Sequence, residues 1–173
     1  MSRKFISFIT LALMLAVSAC GDKESENKQA EIPAKLPVPA SNDAMAWRQY
    51  LGSVAVQPAY QEVVTDRIIP YFLPAHSKTP DNLPNTEVSS PYSRQMEMVQ
   101  PAIQRTVTKG NLLVFGSPDS ATLADFIVEA FTGAVPTALS GSHVLFIGKS
   151  EDAERVKAAV EAAGGTFLFE EIL

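Results

Sequence analysis

The sequence predicts an α+β protein whose helical first half packs on a second half with the element order βαββαβ. Three observations lead to this class. Apolar residues recur at helical spacing over residues 43–108, the segment that follows aligns with itself at a fixed offset, and short runs within it are apolar at consecutive positions. The chain has 173 residues, of which 46% are hydrophobic. That composition is typical of a folded domain and excludes a disordered chain.

Three helices are predicted in the first half. The first runs over residues 43–55 behind a polar cap, and the second over residues 58–69, because a proline suits its first position and another proline follows its end. The third covers about residues 94–108, with Pro101 marking a kink or a break. Residues 74–93 form a proline-rich connection that is long for a compact domain.

The second half contains an internal repeat. An offset of 32 residues brings seven identical pairs together: Leu113 with Leu145, Gly116 with Gly148, Ala121 with Ala153, Val128 with Val160, Glu129 with Glu161, Ala130 with Ala162 and Gly133 with Gly165. Each copy reads as a strand, a turn, an amphipathic helix, a glycine and another extended run. The repeat therefore predicts two βαβ units.

Two βαβ units in succession give the ferredoxin-like arrangement. Its second strand would be residues 134–139, an edge strand in which Pro136 is tolerated. The alternative drops that strand and leaves a βαβαβ unit with a parallel sheet. The other strands, residues 112–115, 144–147 and 166–172, are apolar without alternation, so we expect both faces of the sheet to be buried. Helices of the first half would cover one face, making residues 43–173 a single domain with a helical part (43–110) and a βαββαβ part (111–173).

The N-terminus has the features of an export signal. Two basic residues precede an apolar run of 13 residues, too short to span a bilayer, and small residues lead to the single cysteine. Val17-Ser18-Ala19-Cys20 resembles the lipobox of bacterial lipoproteins. The resemblance implies that residues 1–19 are removed and that Cys20 carries acyl chains such as palmitate. Because Gly21 rather than an aspartate follows Cys20, it also implies anchoring in the outer membrane, facing the periplasm.

Residues 20–42 are predicted to be a disordered tether. They are charged at first and then proline-spaced, and such a composition cannot bury enough apolar surface to fold. The 22 residues after Cys20 would span about 25 Å as a coil and up to about 70 Å as an extended polyproline helix.

No catalytic constellation is predicted. Asp119, Glu151 and Asp152 lie in turns between a strand and a helix, where capping of the helix is the favoured interpretation and binding of an anion or a cation the weaker one. The two histidines, His76 and His143, have no nucleophile motif around them, and a zinc site lacks ligands. We therefore expect neither an enzyme nor a metal or other cofactor.

The aromatic residues of the first half suggest one binding surface. At helical spacing they read as core, but Tyr71, Phe72 and Leu73 stand between two prolines and are predicted to form a contact patch if exposed. The net charge of −5, from 19 acidic and 14 basic residues, argues against a nucleic-acid partner. A protein partner in the periplasm or outer membrane is expected instead.

The expected function is non-enzymatic protein binding, as an accessory of an envelope or secretion assembly or as an immunity-type inhibitor of a toxin. A second hypothesis rests on Gly116-Ser117, Asp152-Ala153-Glu154-Arg155 and Ala162-Ala163-Gly164-Gly165. With the βαββαβ order, these segments resemble the SPOR domain, which implies binding to peptidoglycan. A small envelope enzyme is the third and weakest hypothesis.

Overall fold

A computed structural model describes residues 33–78, 89–105 and 107–172, which belong to one compact unit. The predicted signal sequence and the predicted lipidation site Cys20 lie outside the described residues. Within these ranges the chain forms five helices and four strands. In order they are α1 (Ala44–Ala55), α2 (Pro58–Gln61), β1 (Ile68–Phe72), α3 (Pro91–Gln104), β2 (Leu112–Gly116), α4 (Ser120–Phe131), β3 (His143–Gly148), α5 (Ser150–Ala162) and β4 (Thr166–Glu171).

The four strands form one parallel sheet in the order β1-β2-β3-β4. The mixed helix and sheet class is confirmed, but the ferredoxin-like order is wrong, since that arrangement needs antiparallel neighbours. The repeat instead forms the βαβαβ unit held as the alternative, and β1 extends it by one strand. SPOR-like glycan binding loses its structural support, because it relied on an antiparallel sheet with an open face.

The predicted strand over residues 134–139 is a series of turns. The Ala138 N–H bonds to the carbonyl of Val135 within the segment, and the Leu139 N–H bonds to the carbonyl of Ala163. Ala138 and Leu139 are fully buried. Apolar residues in this segment therefore fill the core from a turn, a role that an apolar run alone does not distinguish from a strand.

Pro70, rather than Pro136, is the proline of an edge strand. The Leu112 N–H bonds to the carbonyl of Arg67 and the Leu73 N–H to that of Gly116, so the odd-numbered residues of β1 face β2. Pro70 faces outward, where a missing N–H costs no ladder bond and hinders pairing with another chain. The second predicted helix is correspondingly wrong: α2 ends at Gln61, and its expected last residues open β1. Hydrogen bonds to the distant β2 decide this, and no local pattern shows them.

Both faces of the sheet are buried, as the consecutive apolar strands predict. Helices α3, α4 and α5 cover one face over Leu113, Phe115, Val144 and Phe146. Helix α1 covers the other face over Leu112, Val114, Leu145 and Ile147. Helix α1 lies over the carboxyl ends of β1 and β2. Its Trp47 stacks on Phe72, the last residue of β1, and its Leu51 packs against Gly116, the last residue of β2.

Residues 33–42, which we call the strap, lie against the domain, so this part of the predicted tether is not free. The Leu36 N–H bonds to Ser53 Oγ at 3.0 Å, and Gln57 Nε2 bonds to the carbonyl of Pro33 at 2.9 Å. Lys35 forms an ion pair with Glu170 at the end of β4. Closer to α1, Trp47 Nε1 bonds to the carbonyl of Ser41 at 2.8 Å. The prolines lack backbone N–H groups, but the strap's other polar groups contact α1, Gln57 and the end of β4.

We expect Gly164→Ala to destabilise the domain more than Gly133→Ala. Both glycines follow a repeat helix with positive φ, 82° at Gly164 and 79° at Gly133, so both substitutions carry the cost of a left-handed alanine, about 1–2 kcal/mol. A Cβ at Gly164 would also lie 2.2 Å from the carbonyl oxygen of Pro136, whereas at Gly133 nothing lies within 4 Å.

Urea unfolding of the two variants would measure this difference in the free energy of unfolding. Because the backbone cost is common to both, an excess of about 1–3 kcal/mol at Gly164 reports the steric clash. Equal losses of unfolding free energy in the two variants would show that the turn at Pro136 moves to accommodate the added Cβ at little cost.

Candidate functional site

The first candidate site is a cleft of about 340 Å³ at the carboxyl ends of β1, β2 and β3. Ligands of parallel sheets commonly bind at this edge, most often where the strand order reverses. The order here runs 1-2-3-4 without a reversal. The cleft is lined by the loop after β1 and by the starts of α4 and α5, with Ala75, His76, Pro118, Asp119, Ser120, Ala121, Lys149, Glu151 and Asp152.

One carboxylate at this edge, Asp119, caps α4, and another, Asp152, connects α5 to α4 rather than capping α5. Asp119 accepts from the Thr122 N–H at 3.1 Å and from its hydroxyl at 2.8 Å, so it caps α4 as the sequence predicts. Asp152 is 6% exposed and accepts from the Ser120 hydroxyl at 2.6 Å and from Arg155 Nη2 at 2.7 Å. Ser120 Oγ in turn accepts from the Lys149 N–H at 2.9 Å. These groups hold the starts of α4 and α5 together.

Arg155 joins this network to the surface. Besides Asp152, its guanidinium contacts the carbonyl of Ala121 and the carboxylate of Asp125. The Arg155 hydrogen bond is the main reason why the pKa of Asp125 lies below its usual range, and Lys78 adds to the effect. These non-covalent contacts connect α4 to α5, so the role of the arrangement is structural.

We expect Asp152→Ala to destabilise the domain by about 1–3 kcal/mol, because the buried Ser120 hydroxyl loses its acceptor. Asp125→Ala is the matched control, since Asp125 contacts the same guanidinium but has 47% of its side chain exposed. Its removal should cost less than about 1 kcal/mol. Thermal or chemical unfolding of both variants measures this, and equal costs would contradict the structural role of Asp152.

The two histidines lie at opposite edges of the sheet. His76 is exposed in the loop after β1, with φ of 57°, and lines the carboxyl-edge cleft. His143 is the first residue of β3, at the amino ends of the strands, and its partial burial lowers the pKa of the imidazole. The structure does not bring them together.

Within residues 33–78, 89–105 and 107–172, no group of three or more His, Cys, Asp or Glu side chains is placed to hold a metal ion. Within the same ranges, no helix combines the length and apolar character that a membrane span requires.

The predicted contact patch Tyr71-Phe72-Leu73 is wrong as an exposed surface. Phe72 is 7% exposed and Leu73 is 1% exposed, and both belong to the core. Tyr71 is half-buried and stacks on Phe115 with ring centroids 4.8 Å apart. The prolines do not hold the triplet away from the domain, since Pro70 itself lies within β1, which pairs with β2 through Phe72.

The second candidate site is a groove of about 470 Å³ at the carboxyl end of β1, which we call the α1–α3 groove. Phe72 and Pro74 form its floor, so one member of the predicted patch contributes to a surface feature after all. Helix α1 supplies one wall with Ala44 and Arg48. Helix α3 supplies the other with Pro91, Arg94, Gln95, Glu97 and Met98.

Exposed methionines and arginines distinguish the α1–α3 groove. Met98 is 63% exposed on the α3 wall, and Met45, next to Ala44 on α1, is 70% exposed. Arg48 and Arg94 place a guanidinium on each wall, and Arg94 also donates to the carbonyl of Ser89. Methionine and arginine are enriched in protein interfaces, and flexible methionines adapt to varied partners. The arrangement suits recognition of an apolar segment that carries a carboxylate.

Sequence reasoning missed this groove because it missed β1. The available signal was that one methionine in each helix falls outside the buried face. In α1, Trp47 and Leu51 are buried and Met45 is not. In α3, Met96 is buried and Met98 is not. Their convergence depends on β1 lying between the two helices, which the sequence does not show.

Comparison of the chain with protein-family models, curated proteins and solved structures finds no significant match.

Proposed function

We propose that this protein is a lipid-anchored lipoprotein of the bacterial outer membrane, facing the periplasm, whose domain binds another protein without catalysing a reaction. The lipobox-like residues Val17-Ser18-Ala19-Cys20 support the anchor. The α1–α3 groove, with an exposed methionine beside each wall, is the observation that carries the binding role.

The partner presents an apolar segment with at least one carboxylate to this groove. Arg48 would receive the carboxylate from the α1 wall, and Met98 would contact the apolar side chains from the α3 wall. A guanidinium pairs well with a carboxylate because its donors match the two oxygens. A component of an envelope or secretion assembly and a toxin held inactive are the two kinds of partner that we propose.

Site-specific photo-crosslinking in living cells tests the proposal. The full-length lipoprotein would carry a photoreactive amino acid at position 98, and the matched control would carry it at Val135, which is 51% exposed in the turn after α4. We expect position 98 to yield one defined protein adduct that position 135 does not. A charge-reversed Arg48→Glu background should reduce that adduct severalfold.

Identification of the attached protein would separate the two kinds of partner. Equal adducts from both positions would show non-specific proximity and overturn the assignment of the groove. Wall fragments in place of a protein, or no adduct at position 98, would overturn the protein-binding role.

A further inference from the structure

A second polar cluster lies at β4, the outer strand on the side of the sheet opposite β1, where the strap contacts the domain. It consists of Glu170 near the end of β4, Tyr60 of α2 and Tyr50 of α1. The Tyr60 hydroxyl lies 2.6 Å from Glu170 Oε2, to which it donates, and 3.1 Å from the carbonyl oxygen of Phe169. Two tyrosine hydroxyls and a carboxylate therefore converge on the face of the sheet that α1 covers.

The strap places a cation in this cluster. The Lys35 ammonium bonds to the other oxygen of Glu170. Burial favours the neutral carboxyl, yet the Lys35 and Tyr60 contacts hold the pKa of Glu170 below its ordinary value. Glu170 is therefore an anion at neutral pH, and it already binds a primary ammonium group.

The Tyr50 hydroxyl adds an independent observation. Tyr50 is 1% exposed, and its oxygen has no hydrogen-bond partner within the described ranges. Burial is the main reason why its pKa is raised, and the charges of Lys35 and Glu170 also act on it. A buried hydroxyl without a partner is unfavourable. The Tyr50 hydroxyl thus stays unsatisfied while the strap lysine occupies Glu170.

Polar contacts rather than apolar burial hold the strap. Leu36 and Val38 remain 43% and 37% exposed, so the strap buries little apolar surface. Its ion pair is partly open to solvent, with 41% of the Lys35 side chain exposed, and such pairs contribute at most about 1 kcal/mol. An external segment with the same chemistry can therefore compete for its place.

We propose that Glu170, oriented by Tyr60, forms a recognition site for a lysine side chain in an extended peptide of a partner protein, and that the strap is its intramolecular competitor. The strap shows how such a segment sits: its lysine reaches Glu170 while its backbone donates to Ser53. This site is separate from the α1–α3 groove and does not depend on it.

Peptide binding to the full-length chain tests the proposal. The probe is a fluorescent acetylated peptide with the sequence Ile-Pro-Ala-Lys-Leu-Pro-Val-Pro, copied from residues 32–39. We expect it to bind at least tenfold more tightly to a full-length variant in which residues 33–40 are replaced by Gly and Ser than to the wild type. The intact strap has the advantage of a high effective concentration. Lys35→Gln provides a second, milder way to open the site if the replaced chain folds poorly.

Three matched changes show whether lysine is what the site recognises. A probe with Gln in place of Lys, and a Glu170→Gln variant with an open site, should each bind at least tenfold more weakly. Glu171→Gln, at the exposed neighbouring position of the protein, should leave binding unchanged. A probe peptide that keeps only its Lys and prolines, with Ala at every other position, should also bind unchanged. Equal binding of the Gln probe, equal binding to open and closed chains, or no binding to a folded open chain would each overturn the proposal.

Discussion

A Cys20→Ser chain is expected to incorporate no labelled palmitate and to leave the membrane fraction. Cys20 is the only cysteine in the sequence, so no other thiol can substitute for it. A thiol with a pKa of about 8.5 supplies reactive thiolate near neutral pH, whereas a serine hydroxyl does not. Each buried methylene of an acyl chain contributes about 0.8 kcal/mol to membrane affinity, so losing the chains removes the anchor altogether.

Ser18→Ala is the matched control for this prediction, because it keeps a small residue two positions before the cysteine. It should retain both the label and the membrane association. Palmitate labelling followed by fractionation of the cells measures both quantities. A Cys20→Ser chain that still incorporates palmitate would contradict lipid anchoring at this residue.

Trp47→Ala is expected to have the largest effect on folding. Trp47 is fully buried, stacks on Phe72 with centroids 5.4 Å apart, and meets the edge of Tyr50 at 5.7 Å. Its indole N–H also holds the strap at Ser41. Truncating a buried tryptophan costs about 3–5 kcal/mol, a large part of the roughly 5–15 kcal/mol that stabilises an ordinary domain.

Met45→Ala, on the exposed side of the same helix, should change the free energy of unfolding by less than about 0.5 kcal/mol. Urea titration followed by far-UV circular dichroism would measure both variants. Similar losses for the two variants would contradict the packing of α1 on the sheet.

Strong local patterns predicted much of this fold. The consecutive apolar positions of β2 and β3 and the amphipathic repeat helices identified both buried faces, and Asp119 was correctly read as a helix cap. The direction in which neighbouring strands run was not contained in those patterns. An apolar run containing Pro136 and one containing Pro70 look alike in the sequence, but only the second pairs with β2.

The candidate sites were less predictable than the fold. The α1–α3 groove exists because β1 separates two helices that are more than 30 residues apart in the chain. The Glu170 cluster joins the strap to the last strand across 135 residues. These contacts between residues distant in the sequence depend on how the whole domain packs. The residue types alone therefore predicted neither site.

With the anchor proposed at Cys20, the strap limits how far the domain can stand from the membrane. Only the 12 residues from Gly21 to Ile32 precede the strap, and they reach at most about 40 Å even when fully extended. The Lys35 contact lies near the end of β4, whereas the α1–α3 groove lies at the end of β1, on the other side of the sheet. Releasing the strap would add its ten residues to this connection and increase the distance that the domain can reach.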